Sequence, residues 1–203
     1  MNNTLKYYQD NAQEFFDSTV NADVSANYDH FLQHIPKHGM ILDFGCGSGR
    51  DTKAFLQRGF SVEAIDGSSE LCKLASEHCG IKVQCMDFME LNVKGKFDGI
   101  WACASLLHIS KEQMPILLMK MREALVEDGF IYISYKLGDF EGERNGRFFS
   151  DFTSSAFRDM FGNVSGLRII EEWFTEDVRP EKQTEWYNVI LKRIVITEGE
   201  ANK

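Results

Sequence analysis

The stretch "ILDFGCGSGRDTKAFLQRGFSVEAIDGS", residues 41–68, decides the fold. An apolar run leads into glycines at alternate positions (Gly45, Gly47, Gly49), a helical pattern follows, and a second apolar run ends in Asp66. Short apolar runs bounded by turn residues read as strands, so the segment spells strand, tight turn, helix, strand. A glycine turn between a strand and a helix lets the backbone come close to a ligand and aims the helix N–H groups at its anionic part.

The same alternation continues on both sides. Residues 4–17 carry Tyr7, Tyr8, Phe15 and Phe16, and residues 23–35 carry Tyr28, Phe31, Leu32 and Ile35; both read as amphipathic helices. Pro36 and Gly39 break the chain. Apolar runs then fall at 40–44, 60–66, 81–86, 97–104 and 130–135, with helical patterns at 50–58, 68–79 and 111–125. Strands alternating with helices at this spacing require right-handed crossovers and a largely parallel sheet. Residues 138–152, glycine-rich and without a period, are expected to form a long loop, and 153–162 a helix. Runs at 166–175 and 185–196 are expected to pair as an antiparallel edge, and residues 197–203 to fray. The whole is expected to be one α/β domain: an N-terminal helical lid (1–35), a ligand-binding core (36–136), then a substrate loop with C-terminal antiparallel strands (137–196).

Charge and composition narrow the function. Twenty-two basic against 31 acidic residues leave a formal charge of −9, which repels polyanions and argues against non-specific nucleic-acid binding. The N-terminus lacks the apolar core of a secretion signal, and no run approaches the roughly 20 residues of a membrane span. The five cysteines (46, 72, 79, 85, 103) form no C-x-x-C pair, so they read as reduced thiols in a cytoplasmic protein. No His/Cys/Asp spacing suggests a metal.

The dinucleotide fingerprint requires a glycine at position 50, which is Arg50, and a phosphate-cradling loop requires a Lys-Ser/Thr pair that is absent. Asp66 ends the second strand, where a carboxylate can accept both hydroxyls of a ribose. Asp87 follows the third, and the neighbouring Phe88 can lie against an adenine face. Acids after the second and third strands describe a nucleoside pocket without a pyrophosphate.

On "LDFGCGSG", "VEAIDGS", "CMDF", "FDGIWACASLLHI" and "LVEDGFIYIS", in this order and spacing, residues 36–136 resemble the class I S-adenosylmethionine-dependent methyltransferases. The resemblance implies a Rossmann-like fold: a seven-stranded, mostly parallel sheet with an antiparallel last strand and helices on both faces. It implies S-adenosylmethionine as cofactor and S-adenosylhomocysteine as product. The cofactor's contacts would run along Asp43, Gly45, Cys46, Gly47, Gly49 and Arg50. The ribose would lie on Asp66 with Gly67 and Ser68, the adenine on Asp87 and Phe88, with Tyr8 and Cys103 nearby. The chain departs at "VEDGF" (126–130), where relatives often carry Pro-Gly-Gly, which should affect only a turn. "YYQDNAQEFF", "GSGRDT", "ASLLHIS", "SYKLGDFEGERNGRFF" and "EDVRPEKQTEWYNV" further resemble a bacterial group of small-molecule methyltransferases described as tellurite-resistance-like.

Methyl transfer needs an acceptor aligned in line with the S–CH₃ bond, a dry site and, for a protonated acceptor, a base. His108 lies just beyond the fourth strand and is the candidate base, with packing or capping as its alternative role. Tyr135 and Lys136 end the fifth strand and are further candidates, with a structural role as their alternative; Tyr7 and Tyr8 are candidates for a lid, with core packing as theirs. Arg144 and Arg147, three apart beside Phe148 and Phe149, are candidates to clamp a small oxyanion or carboxylate, with Arg179 as a later contributor. Surface pairing with Glu141, Glu143, Asp151 and Asp177 is their alternative. The expected partner is a small-molecule methyl acceptor; a tRNA or protein methyltransferase and a non-catalytic cofactor-binding protein stay open beside it.

Overall fold

The computed structural model describes residues 3–179 and 183–195. Two short helices open the chain, α1 (Asn3–Asp10) and α2 (Ala12–Thr19), followed by α3 (Ser25–Leu32). The crossover units are β1 (Met40–Phe44), α4 (Arg50–Gln57), β2 (Ser61–Asp66), α5 (Ser69–Cys79), β3 (Gln84–Cys85), β4 (Phe97–Ala102), α6 (Met114–Ala124) and β5 (Leu125–Lys136). A hairpin of β6 (Glu141–Arg144) and β7 (Arg147–Ser150), the helix α7 (Ser154–Phe161), and strands β8 (Leu167–Glu176) and β9 (Glu185–Arg193) complete it. One seven-stranded sheet runs in the order β3-β2-β1-β4-β5-β9-β8. Its first five strands are parallel, and β9 is antiparallel to both β5 and β8.

Alternation along the strands builds a core on each face. Leu42, Phe44, Ile100, Ala102, Ile131, Ile133 and Tyr135 point to one side with Leu117, Leu118 and Met121 of α6. Ile41, Trp101 and Tyr132 point to the other, with Tyr28 and Phe31 of α3 and Phe55 of α4. Successive side chains on a strand face opposite ways, and helices on both faces make both sets apolar.

Several expectations are corrected. Residues 138–152 are a β-hairpin, not a long loop: Glu141 to Arg144 pair antiparallel with Ser150 to Arg147, turning at Asn145 and Gly146. The short strands and the Asn-Gly turn leave too little alternation to read as a period. The helix expected over 4–17 is broken at Asn11, whose side chain donates to the Tyr7 carbonyl oxygen at 2.8 Å. Of the strand expected over 81–86, only Gln84–Cys85 pairs. "VEDGF" lies inside β5, where Asp128 takes a φ of 60° and the register with β4 shifts. The expected fray at 197–203 lies outside the described residues, among which no helix is long and apolar enough to cross a membrane.

One buried polar network ties the α3–α4 face to the sheet. The Asp51 carboxylate accepts from Arg50 Nε at 2.6 Å and Arg50 Nη2 at 2.9 Å, from the Tyr28 hydroxyl at 2.6 Å, and from Trp101 Nε1 at 2.8 Å. Burial acts to raise its pKa, but Arg50 and these hydrogen bonds outweigh it and hold the carboxyl below the usual range. Replacing Asp51 with alanine leaves a buried guanidinium uncompensated, which should cost about 3–5 kcal/mol. Urea unfolding of Asp51→Ala checks it, and a loss below about 1 kcal/mol would show that the network is not holding the face together.

Candidate active site

At the end of β1 the chain turns through Gly45, Gly47 and Gly49, with φ values of 84°, 55° and 75°. A Cβ on Gly45 would lie 2.5 Å from the Cβ of Ser105 and 2.8 Å from Cζ of Phe88, so only glycine fits between them. Gly49 caps α4 in the left-handed region, with the Ala75 backbone 3.1 Å from where a Cβ would stand. The turn is stitched to β2 by Gly45 N–H and Cys46 N–H, both donating to the Ile65 carbonyl oxygen at 3.0 and 2.9 Å. The Ser105 hydroxyl donates to the Phe44 carbonyl oxygen at 2.6 Å and joins the ends of β4 and β1.

Asp66 ends β2 beside this turn. One carboxylate oxygen accepts from Gly47 N–H and the other from Ser68 N–H, each at 2.9 Å. Burial pushes its pKa up, against the backbone N–H groups of Ser68, Gly47 and Gly67. The carboxylate has four lone-pair directions, so beyond these three N–H groups it retains acceptor capacity for a ribose hydroxyl. The Asp87 side chain accepts from Met89 N–H at 2.8 Å and starts a single helical turn that presents Phe88, which packs 4.5 Å from Phe44.

The two N-terminal helices roof the turn. Thr4, Leu5 and Tyr8 of α1 and Phe15 of α2 line a pocket together with Gly45, Gly47, Asp66, Gly67, Asp87 and Phe88. Ala104, Ser105, His108 and Ile109, from the segment after β4, close its far side. Ala104 sits in the left-handed region (φ 52°) with its N–H donating to the Ser134 hydroxyl at 2.8 Å. The enclosed space is about 100 Å³.

His108 fastens the roof to the body. Its Nδ1 lies 2.6 Å from the Phe148 carbonyl oxygen, which can only accept, so Nδ1 carries the proton. Nε2 therefore accepts from the Tyr8 hydroxyl at 2.8 Å. Phe148 N–H donates to the Thr4 hydroxyl at 2.9 Å, a second tie between α1 and β7. Burial lowers the His108 pKa to about 4, the Phe148 carbonyl opposes the shift, and the Arg147 and Lys136 charges add to it.

The candidate residues divide accordingly. Tyr8, Gly45, Gly47, Asp66, Gly67, Asp87, Phe88 and His108 come together on the pocket wall. Asp43, Cys46, Gly49, Arg50, Ser68 and Cys103 do not line it. Asp43 is buried behind the turn, accepts from the Thr52 hydroxyl at 2.6 Å, and is pushed up to about 8 by burial and the Asp51 charge. Arg50 faces Asp51, with its Nη2 3.8 Å from Cys103 Sγ, and Ser68 caps α5. Tyr135 is corrected to a core residue: it is fully buried, donates to Met114 Sδ at 3.1 Å and packs on Phe152 and Phe157. Arg144 is bound at two points by Asp151, at 2.8 and 2.9 Å. Thr4, Phe15, Ala104 and Ser105 were missed, because side chains of those types on a helix or strand end read as packing. The five cysteines form no disulfide, and no group that could hold a metal occurs among the described residues.

Residues 41–129 match the family described as "Methyltransferase domain". Over these residues the chain carries a methyltransferase domain. Over 190 residues it is 28% identical to an uncharacterized methyltransferase of Staphylococcus carnosus (strain TM300), covering 89% of this chain and 83% of that protein. A Geobacillus thermodenitrificans (strain NG80-2) methyltransferase is 40% identical over 67 residues, 32% of this chain and 31% of that one. Among solved structures, the methyltransferase fold agrees with Burkholderia thailandensis 1,6-didemethyltoxoflavin-N1-methyltransferase, which holds 1,6-didemethyltoxoflavin and S-adenosylhomocysteine. There the TM-score is 0.74 at 22% identity, over 94% of this chain and 85% of that one. A Methanosarcina mazei S-adenosylmethionine-dependent methyltransferase gives 0.71 at 16% identity, over 81% and 96%. The pocket residues fit S-adenosylmethionine: a glycine turn too tight for a side chain at Gly45, and a carboxylate with acceptor capacity left at the end of β2.

The His108 clasp makes stability depend on pH. A histidine held neutral in the fold binds fewer protons than in the unfolded chain between its folded and unfolded pKa values. Its contribution is therefore present above about 6.5 and is lost as pH falls toward about 4. Between pH 7 and 4.5 the wild type should lose about 2 kcal/mol more stability than His108→Asn. Parallel urea titrations at both pH values decide it, and identical losses in the two proteins would remove the clasp.

Proposed function

We propose that this enzyme methylates a small molecule, held between the roof helices and the segment after β4, by direct in-line displacement. The observation that carries the proposal is the convergence of Tyr8 and His108, 2.8 Å apart, on the pocket wall that also includes Gly45 and Gly47. A pocket roofed by short helices admits a metabolite more readily than a folded macromolecule, and a chain of net charge −9 does not attract a nucleic acid. The Burkholderia neighbour, with 1,6-didemethyltoxoflavin bound, and the narrower small-molecule group resembled by the sequence support the same reading. The five unpaired cysteines support a reducing, cytoplasmic setting.

When bound, the cofactor supplies a sulfonium methyl, which is already a strong electrophile. Gly45 and Gly47 would hold its methionine part, Asp66 its ribose, and Asp87 with Phe88 its adenine. The chain has three tasks left: to exclude water, to orient the acceptor, and to hold or move a proton. The roof of α1 and α2 excludes water. The Tyr8 hydroxyl, fixed by His108, orients the acceptor. His108 itself is neutral at pH 7 and already engaged by Tyr8, and an imidazole held near 4 is a weak base. It acts as a positioning residue, and the acceptor arrives without a proton to lose.

The test is release of S-adenosylhomocysteine by the purified protein across small molecules, tRNA and peptides. Release with small molecules alone is expected, with kcat/KM free of any inflection near pH 6.5 and reduced about tenfold or more in His108→Asn. Release with only tRNA or a peptide, or an inflection near 6.5, contradicts the proposal.

A further inference from the structure

In a chain of net charge −9, four cations gather where β5 ends and the β6–β7 hairpin and the turn after β8 come together: Lys136, Arg144, Arg147 and Arg179. Two of them are matched. Arg144 is held by Asp151, and Arg179 donates to Asp177 at 2.7 and 2.8 Å. The nearby glutamates are engaged elsewhere, Glu143 by Asn3 and Glu141 by the Lys111 N–H.

Lys136 and Arg147 have no carboxylate within salt-bridge distance among the described residues. The Arg147 guanidinium lies 4.4 Å from the Tyr7 ring centroid and 5.2 Å from that of Phe149, and donates weakly to the Tyr8 hydroxyl at 3.4 Å. Its Nε is buried without any partner. Lys136 Nζ lies 4.4 Å from the same Phe149 ring, which Arg144 also approaches at 4.5 Å. Three cations around one aromatic ring repel one another, and the ring's negative face offsets only part of that repulsion. The one carboxylate acting on Lys136, Asp151, is already bound by Arg144, and a half-buried cation and a buried N–H without a direct partner are costly in a folded chain unless a ligand supplies it. Both groups border the active site: their charges act on His108, and Arg147 touches Tyr8.

We propose that the methyl acceptor carries a carboxylate or other oxyanion group, seated between Lys136 and Arg147 beside the Phe149 ring. This deepens, and rests on, the small-molecule reading above. It also assigns Lys136 to the substrate site and removes Arg144 from it, since Asp151 already occupies the Arg144 fork. Where the anionic atom is itself the nucleophile, its lone pair forms the bond to the methyl carbon. The electron pair of the broken S–CH₃ bond returns to sulfur and no proton leaves, which suits a site whose histidine is neutral.

The experiment titrates the protein saturated with S-adenosylhomocysteine, by calorimetry, with acetate, benzoate, inorganic phosphate and sulfate, and with acetamide and benzamide as neutral counterparts. Binding of at least one anion and of neither amide is expected, weakened about tenfold or more in both Arg147→Gln and Lys136→Met. Affinity for S-adenosylhomocysteine should stay within about twofold in both variants, since neither residue lines the cofactor pocket. The carboxylate and inorganic arms tell an organic acid acceptor from an inorganic oxyanion. Absence of anion binding, amides binding as well as acids, or variants that bind the anion like wild type would overturn the proposal. The titration needs no turnover, so a failure of the small-molecule reading, seen as no methyl transfer to any metabolite, is separately visible.

Discussion

The carboxylate of Asp51 is the interaction on which this structure depends. It sits in the first turn of α4, directly behind the glycine turn, and gathers donors from the same helix (Arg50), from α3 (Tyr28) and from β4 (Trp101). A buried carboxylate with this many donors stays charged and fixes their geometry. The start of α4 is thereby pinned to the sheet, and the glycine turn before it, packed against Ser105 and Phe88, has one path to follow. Trp101, held by Asp51 at its indole nitrogen, stacks 3.9 Å from Tyr132 and carries the constraint across to β5.

Much of this was legible in the sequence, for stated physical reasons. The strand at 40–44 and the helices after it were readable because buried parallel strands are short continuous apolar runs and the glycines punctuate them. The ligand end followed from Asp66, an acid ending an otherwise apolar strand. What was not legible depends on distant contacts. The edge strand β3 is two residues long because only Ile65 and Asp66 offer it partners. The β6–β7 hairpin stands because Phe148 is tied to Thr4 and His108, 144 and 40 residues away in sequence. Likewise Tyr135 ends its strand where a catalytic group would stand, and its hydroxyl instead turns into the core toward Met114.

The site divides its electrostatics between two ends. Near the glycine turn the polar groups are acidic, Asp66 and Asp87, and suit hydroxyls and amines. Beyond His108 the unpaired groups are cations, Arg147 and Lys136, whose charges help keep the imidazole neutral. The roof helix α1 spans both ends: Gln9 accepts from the Ser68 and Ser69 hydroxyls on the acidic side, and Tyr8 meets His108 on the other. The hydrogen bonds of α1 thus tie both ends of the site to one helix.

The central claim is that S-adenosylmethionine lies along the glycine turn with its ribose on Asp66. Calorimetric titration of wild type and Asp66→Ala with S-adenosylhomocysteine tests it most directly. The account predicts one site per chain in the wild type and a loss of about 1.5–3 kcal/mol in the variant, the scale of hydrogen bonds to a charged group. Equal affinity in the two proteins, or NADH binding to the wild type in place of the nucleoside, would contradict it.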